Sequence, residues 1–415
     1  MAQVTLRRGT AAARIVVVAV ALVASFFTVR SGLAFMLATP AGARIALRID
    51  PTNTNALSAD ADERLKTVEL GAPAAKLAED SKAILRRSPY EVVAMRDIGI
   101  ITDSTDDHVG ANKFLSLAAR LSLRDYLTHA WLLDYRFKHD QVVDSVREGD
   151  ILLRQNPENW SVIIPVLIAL TQDRRAIEPI AQTLATGPEW RSNYIYQLGQ
   201  ANPFPDATYA VLLRLKALGK PATSDELAPY FRRSAERLSP QQLFAQWVAL
   251  LPPSAEAAGK GLMRDGDFAG LDVPPPFGWR LFPADGVYAE RGAGPAGMGS
   301  ALFVSYTGER ETAFASQQLV LAPGRYRFSG RVYAEDAVDP GIFSWTVACV
   351  TNGAQAQLGR VAVDPQPGKL VRYTVDFDVP ANCTQQQVTL LGTTREASFD
   401  TIAAYVDGLT LESLR

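Results

Sequence analysis

Residues 325–334 read RYRFSGRVYA, residues 344–350 read SWTVACV and residues 372–379 read RYTVDFDV. Apolar and polar side chains alternate in each run, and β-branched and aromatic types are favoured. A period of two sends successive side chains to opposite faces of a strand. Turns at Pro323-Gly324, Asp339-Pro340-Gly341 and Pro367-Gly368 punctuate these runs at short intervals. Many strands, short turns and no helical period predict an antiparallel β-sandwich over 262–415.

Upstream the character of the chain changes. Residues 252–261, PPSAEAAGKG, read as a linker by composition. From 44 to 251 apolar residues recur at steps of three and four, as in Val142, Val143, Val146, Ile151 and Leu152. Thr223 with Glu226, and Ser239 with Gln242, are capping boxes, each announcing a helix. The helical stretch also carries a period. Pro89 and Pro157, each after a helical run, lie 68 residues apart, twice 34, and Leu123 marks the midpoint. Pro51 precedes Pro89 by 38 residues.

A 34-residue helix-turn-helix period resembles the tetratricopeptide repeat. Ile98-Gly99 fall where that repeat has its Leu-Gly pair, and Ala111, Leu115 and Ala118 fall at its small, large and small second-helix positions. Leu132 and Ser145 match in the next unit, which Pro157 closes. Leu123 replaces a closing proline and Gly149 an aromatic, and the register decays after Pro157, so the resemblance runs from Arg44 to Pro188. It implies an α-helical solenoid over 44–251 that takes a protein partner in a concave groove.

The sandwich has its own resemblance. Asp265-Gly266-Asp267-Phe268 is followed by Phe277-Gly278-Trp279, and Tyr405-Val406-Asp407-Gly408-Leu409 comes near the end. This order is similar to the jelly-roll carbohydrate-binding modules of the galactose-binding-like fold. The resemblance marks Asp267, Phe268, Trp279 and Asp407 as signature positions and implies a polysaccharide ligand. Some members hold calcium between an opening Glu and the closing Asp. Here Ala269 stands at the Glu position, one carboxylate fewer, so no metal and no cofactor is expected.

At the other end, Ile15–Val29 (IVVVAVALVASFFTV) is free of charge and follows Arg7, Arg8 and Arg14. Extension past Arg30 to Ala38 gives the length a helix needs to cross a bilayer, about 20 residues. Residues 15–38 therefore read as a transmembrane anchor, with 1–14 a basic cytoplasmic tail and the bulk of the chain periplasmic, at a bacterial inner membrane. The rival reading, a cleaved signal peptide, has its only small-residue site at Ala41-Gly42-Ala43, far beyond the apolar core. An oxidising compartment predicts a disulfide between Cys349 and Cys383, the two cysteines of the chain.

Composition bounds the rest. The 42 basic and 44 acidic residues leave a net charge of −2, which argues against a nucleic-acid partner. Three histidines, with no His-Glu-x-x-His, leave little for a metal centre. The G-x-G-x-x-G run at 292–297 is followed by strand-like sequence, not by the helix a dinucleotide site requires. The reading is thus a non-enzymatic envelope scaffold serving exopolysaccharide or envelope-glycan assembly or export. A degenerate glycan hydrolase, and a sandwich that only packs on the solenoid, are the alternatives.

Overall fold

Fourteen α-helices precede ten β-strands among the residues this computed structural model describes, 2–414 except 68, 70, 271–272, 296, 309, 352–353 and 395–400. The first helix, Ala2–Met36, contains the segment Arg14–Met36, which is 23 residues long, has a mean hydropathy of 2.1 and is long and apolar enough to cross a membrane. Most of that segment is uncovered, with Ile15, Val18, Leu22, Phe26 and Val29 all exposed, while Ala34 near its end is buried. Its last turns are tied to the next helix. Arg30 donates from Nε to the Ile49 carbonyl at 2.7 Å and lies 3.6 Å from Asp50. A cation at the C-terminus of the helix Ala43–Ile49 also meets the negative end of its dipole.

Within Met1–Leu167 the next helices pack in consecutive pairs, Thr54–Leu65 on Ala72–Arg87, Val92–Asp103 on His108–Leu121 and Tyr126–Lys138 on Val142–Gln155, whose first members start 38 and 34 residues apart. Within Ile168–Arg415 alternate helices pack instead, Arg174–Ala185 on Pro205–Ala217 and Arg191–Ala201 on Ser224–Ser234. Long-range ion pairs join these same helices: Arg191 with Glu226, 35 residues on, and Arg214 with Glu178, 36 residues back. Both capping boxes form, Thr223 with Glu226 and Ser239 with Gln242.

The chain divides into two compact units, Met1–Leu167 and Ile168–Arg415. In the first, His108–Leu121 and Tyr126–Lys138 bury small and large apolar side chains against each other, Ala111, Leu115 and Leu132. The second unit holds the last five α-helices together with the sandwich, so helices read as the end of the solenoid group with the β-domain. The expected linker is ordered as a 3-10 helix, Pro253–Lys260. The Trp247 indole N–H donates to the Pro274 carbonyl at 2.8 Å. Phe244, Trp247 and Phe277 surround the guanidinium of Arg264 at 4.6, 5.8 and 6.0 Å from their ring centres. Burial pulls the Arg264 pKa down to about 10, and the aromatic faces offset part of that desolvation.

Ten strands form the sandwich: β1 (Arg280–Leu281), β2 (Val287–Ala293), β3 (Ser300–Tyr306), β4 (Thr312–Leu319), β5 (Gly324–Tyr333), β6 (Phe343–Thr351), β7 (Ala354–Val363), β8 (Val371–Val379), β9 (Gln386–Gly392) and β10 (Ile402–Leu414). They make two five-stranded antiparallel sheets, β1-β4-β9-β6-β7 and β2-β3-β10-β5-β8. The inward residues, among them Leu302, Phe314, Phe328, Trp345, Leu390 and Val406, form one core between the sheets. Each such buried side chain contributes about 1.5–3 kcal/mol. The Cys349–Cys383 disulfide, Cα–Cα 5.7 Å, ties the end of β6 to the turn before β9.

Candidate functional site

The signature residues of the sandwich build its floor. Asp265 and Phe268 both take left-handed backbone, at φ 49°. Gly266 lies against β10 so closely that a Cβ would stand 2.0 Å from the Leu409 carbonyl oxygen. The opening loop is thereby pinned to the closing strand, with the Leu409 N–H donating to the Gly266 carbonyl at 3.0 Å. The Trp279 indole N–H donates to the Asp265 carbonyl at 3.0 Å, and its ring lies 5.0 Å from Phe268 and 5.7 Å from Trp345. Phe268 and Trp279 are thus core.

Asp407 sits beside the bulge at Asp407/Thr410, where Gly408 takes φ 58°. Arg331 grips it in a two-point contact, Nε to Oδ1 at 3.0 Å and Nη2 to Oδ2 at 2.6 Å. Burial pushes the Asp407 carboxyl up and the Arg331 bond pulls against it, while the charge of Asp267 adds to the upward push. The guanidinium supplies the positive charge at this carboxylate. Among the described residues no three His, Cys, Asp or Glu side chains are grouped to hold a metal.

The outer face of β2-β3-β10-β5-β8 carries the arrangement best suited to a ligand. Register aligns Glu290 with Phe303, Phe303 with Tyr405, and Tyr405 with Tyr333. The side chains of this row alternate with the inward Leu302, Val304, Ala404, Val406 and Val332, so they point away from the core. Phe303 and Tyr405 lie 5.0 Å apart between ring centres, and Tyr405 and Tyr333 6.5 Å apart. All three are half-buried, while Glu290 and the nearby Tyr288 are exposed. The neighbouring row is polar, Asp407 aligned with Arg331 and Arg331 with Arg372. An aromatic strip with charged and hydroxyl edges can pack on sugar C–H groups while bonding hydroxyls.

Sequence reasoning missed Phe303 as a surface residue. It lies in ALFVSY, an unbroken apolar run that hides the parity of the strand. Tyr333 was within reach: Tyr326 and Phe328 point inward, so an odd step along β5 points outward. The glycine run at 292–297 lies at the connection from β2 to β3, with residue 296 outside the described residues.

In the first unit the repeat-signature residues are packing elements. A Cβ on Gly99 would lie 2.6 Å from Leu115 Cγ, and Ala111 and Ala118 are fully buried. Pro89 lies just past the helix Ala72–Arg87, and Pro157 opens a 3-10 turn. Two buried ion networks join helices. Arg96 meets Asp97, Asp125 and Asp62. One guanidinium among three carboxylates leaves surplus negative charge, and burial, opposed by Arg96, pushes Asp97 up to about 6. His129 lies between Glu148, facing Nδ1, and the Ser122 carbonyl, 3.0 Å from Nε2. Burial raises the Glu148 carboxyl, but the His129 bond and the Arg136 charge outweigh it and hold the group below its usual range. These are staples between helices, although the buried Oδ2 of Asp97 has no hydrogen-bond partner among the described residues.

No protein-family model matches the chain, and no curated protein matches it in sequence. Solved structures are similar to part of it. A CBM4 structure matches 37% of this chain and 99% of its own at 14% identity, TM-score 0.29. The CBM22-2 xylan-binding domain from Paenibacillus barcinonensis matches 33% and 91% at 14% identity, TM-score 0.27. A family 16 carbohydrate-binding module matches 37% and 100% at 17% identity, TM-score 0.25. The likeness is one of fold, a β-sandwich like those of carbohydrate-binding modules.

Proposed function

We propose that this chain is a membrane-anchored, non-enzymatic binding protein of the bacterial envelope. In this reading the sandwich binds a polysaccharide on the outer face of β2-β3-β10-β5-β8, and the tetratricopeptide-like helical array holds a protein partner. The observation that carries it is the row Phe303–Tyr405–Tyr333, three aromatic side chains turned away from a core already filled by others. The array supports a partner through exposed apolar side chains on one helix and the turn after it, Val109, Leu117, Leu121 and Leu123. The apolar N-terminal helix and the disulfide point to a body outside the cytoplasm. The arginine-rich start then faces the cytoplasm, at the inner membrane. The process that fits is assembly or export of an envelope glycan. Asp376 and Asp407 are each held by an arginine in a two-point contact, which favours binding over hydrolysis by those carboxylates.

The test is calorimetric titration of the full chain, in detergent micelles, with neutral oligosaccharides such as xylo-oligosaccharides. Weak binding is expected, lost by about tenfold in Tyr405→Ala, in line with removal of one stacking side chain. A panel of neutral glycans that gives no heat, or equal affinity in Tyr405→Ala, would remove the aromatic face from the proposal.

A further inference from the structure

A second concavity lies within the second unit, on the opposite sheet. It is a cavity of about 970 Å³ between the helices Arg191–Ala201, Ser224–Ser234 and Pro240–Leu250 on one side and the outer face of β1-β4-β9-β6-β7 on the other. Its size falls in the range of ligand-binding clefts, about 300–1,000 Å³.

The lining has a definite chemistry. Arg232 comes from the helices and Arg280 from β1, and both are exposed. Neither has an ion-pair partner among the described residues. Most other arginines that approach another element in this unit are committed: Arg191 to Glu226, Arg214 to Glu178, Arg331 to Asp407. Asp225 is the one carboxylate in the lining, so the cavity carries net positive charge. Gln318, Gln385 and Gln387 supply amides, which both donate and accept. Gln385 and Gln318 are bonded to each other at 2.6 Å, so this amide pair is held in place. Tyr196, which is exposed, and Phe282 add aromatic surface, with the Arg280 guanidinium 4.8 Å over the Phe282 ring.

Each feature selects for part of one ligand class. Unpaired guanidinium groups recognise carboxylates in two-point contacts. Amides suit hydroxyl groups, which also donate and accept. Aromatic faces suit sugar C–H surfaces. Prolines 240, 275 and 276 in the wall offer ring faces but no N–H to the carbonyls of a peptide backbone. We propose that this groove is a second binding site, built jointly by the last helices and the sandwich, for an acidic oligosaccharide segment whose sugar carboxylates pair with Arg232 and Arg280. The groove lies on the sheet opposite to the Phe303–Tyr405–Tyr333 row, so either site stands without the other.

The test uses the full chain in detergent micelles, with oligogalacturonate as the acidic probe, a neutral xylo-oligosaccharide as control and poly-glutamate as the peptide polyanion. Oligogalacturonate should bind, more weakly as salt is raised, and Arg232→Gln with Arg280→Gln should weaken it by at least about tenfold. Tyr405→Ala should leave that affinity unchanged, and the arginine variant should leave any binding of the neutral probe unchanged. Both arginines are exposed and unpaired, so the variant keeps the fold, which an unchanged melting temperature verifies. Absence of oligogalacturonate binding, or equal affinity in the double variant, overturns the proposal. So does poly-glutamate binding as tightly and with the same arginine dependence, which would make the groove a general polyanion site.

Discussion

At the scale of single residues, the most informative positions are those where a side chain has no room. Gly99 faces Leu115 across a helix pair, and a Cβ there would fall 2.6 Å from Leu115 Cγ, the branch point rather than a mobile end. Gly149 meets Leu167 in the same way, at 2.6 Å from Cδ2. Gly99→Ala should therefore cost about 1–3 kcal/mol, the usual penalty for overpacking, despite the better helix propensity of alanine. Urea titration of the full chain in micelles measures it. In a Leu115→Ala background the same Gly99→Ala step should cost less, because alanine lacks the γ and δ carbons that clash. A Gly99→Ala chain as stable as the parent would mean that the two helices are not held at this separation. Gly99 and Leu115 stood out in the sequence by their offsets, and the structure adds that they meet. The buried networks around Arg96 and His129 did not stand out, since their members lie as far apart as 34 residues and no local pattern joins them.

At the scale of elements, alternation located β5, β6 and β8 and showed which residues of each share a face. It worked for β5, where Tyr326 and Phe328 enter the core, and for β8, where Tyr373 and Phe377 do. It failed for β3, whose ALFV run is apolar on both faces because the outer face carries Phe303 as well. β1, two residues long, is too short for any period to show. The cysteines join elements that alternation cannot: β6 and the turn into β9 are already paired through their own ladder, and the disulfide closes a loop of 34 residues across it. In the chain-entropy model such a loop is worth about 4 kcal/mol, and native disulfides commonly deliver about 2–5. Cys349→Ser with Cys383→Ser should lower stability by an amount in that range, read as a lower urea midpoint at unchanged slope. Thiol titration of the unreduced, unfolded parent should find no free thiol. Two titrated thiols, or a double variant with the parental midpoint, would show that the bond is not formed in the native compartment.

At the scale of the whole chain, the outline of apolar N-terminal helix, helical region and sandwich was readable, while the grouping of the helices was not. Residues 252–261 have a linker's composition, yet they are ordered as a 3-10 helix inside the second unit. The aromatics Phe244 and Trp247, on the helix before it, pack on Phe277 in the segment leading into β1. Nothing in a helical period tells which surface will cover an aromatic side chain. If the last helices are part of the β-domain's own core, the sandwich alone is incomplete. A fragment of residues 262–415 lacks Phe244 and Trp247, uncovers Phe277 and leaves Arg264 without two of the rings that surround it. A fragment of residues 168–415 keeps all of them. Losing the burial of even one or two large aromatics costs roughly 2–6 kcal/mol, and each kcal/mol moves the midpoint of a domain this size by about 2–4 °C. The longer fragment should therefore unfold in one transition, with a midpoint higher by roughly 5–20 °C than the shorter. Differential scanning calorimetry of the two fragments decides it. Two separate transitions in 168–415, one of them at the midpoint of 262–415, would show that helices and sandwich fold independently and that Arg264 and its rings form a contact between domains rather than part of one core.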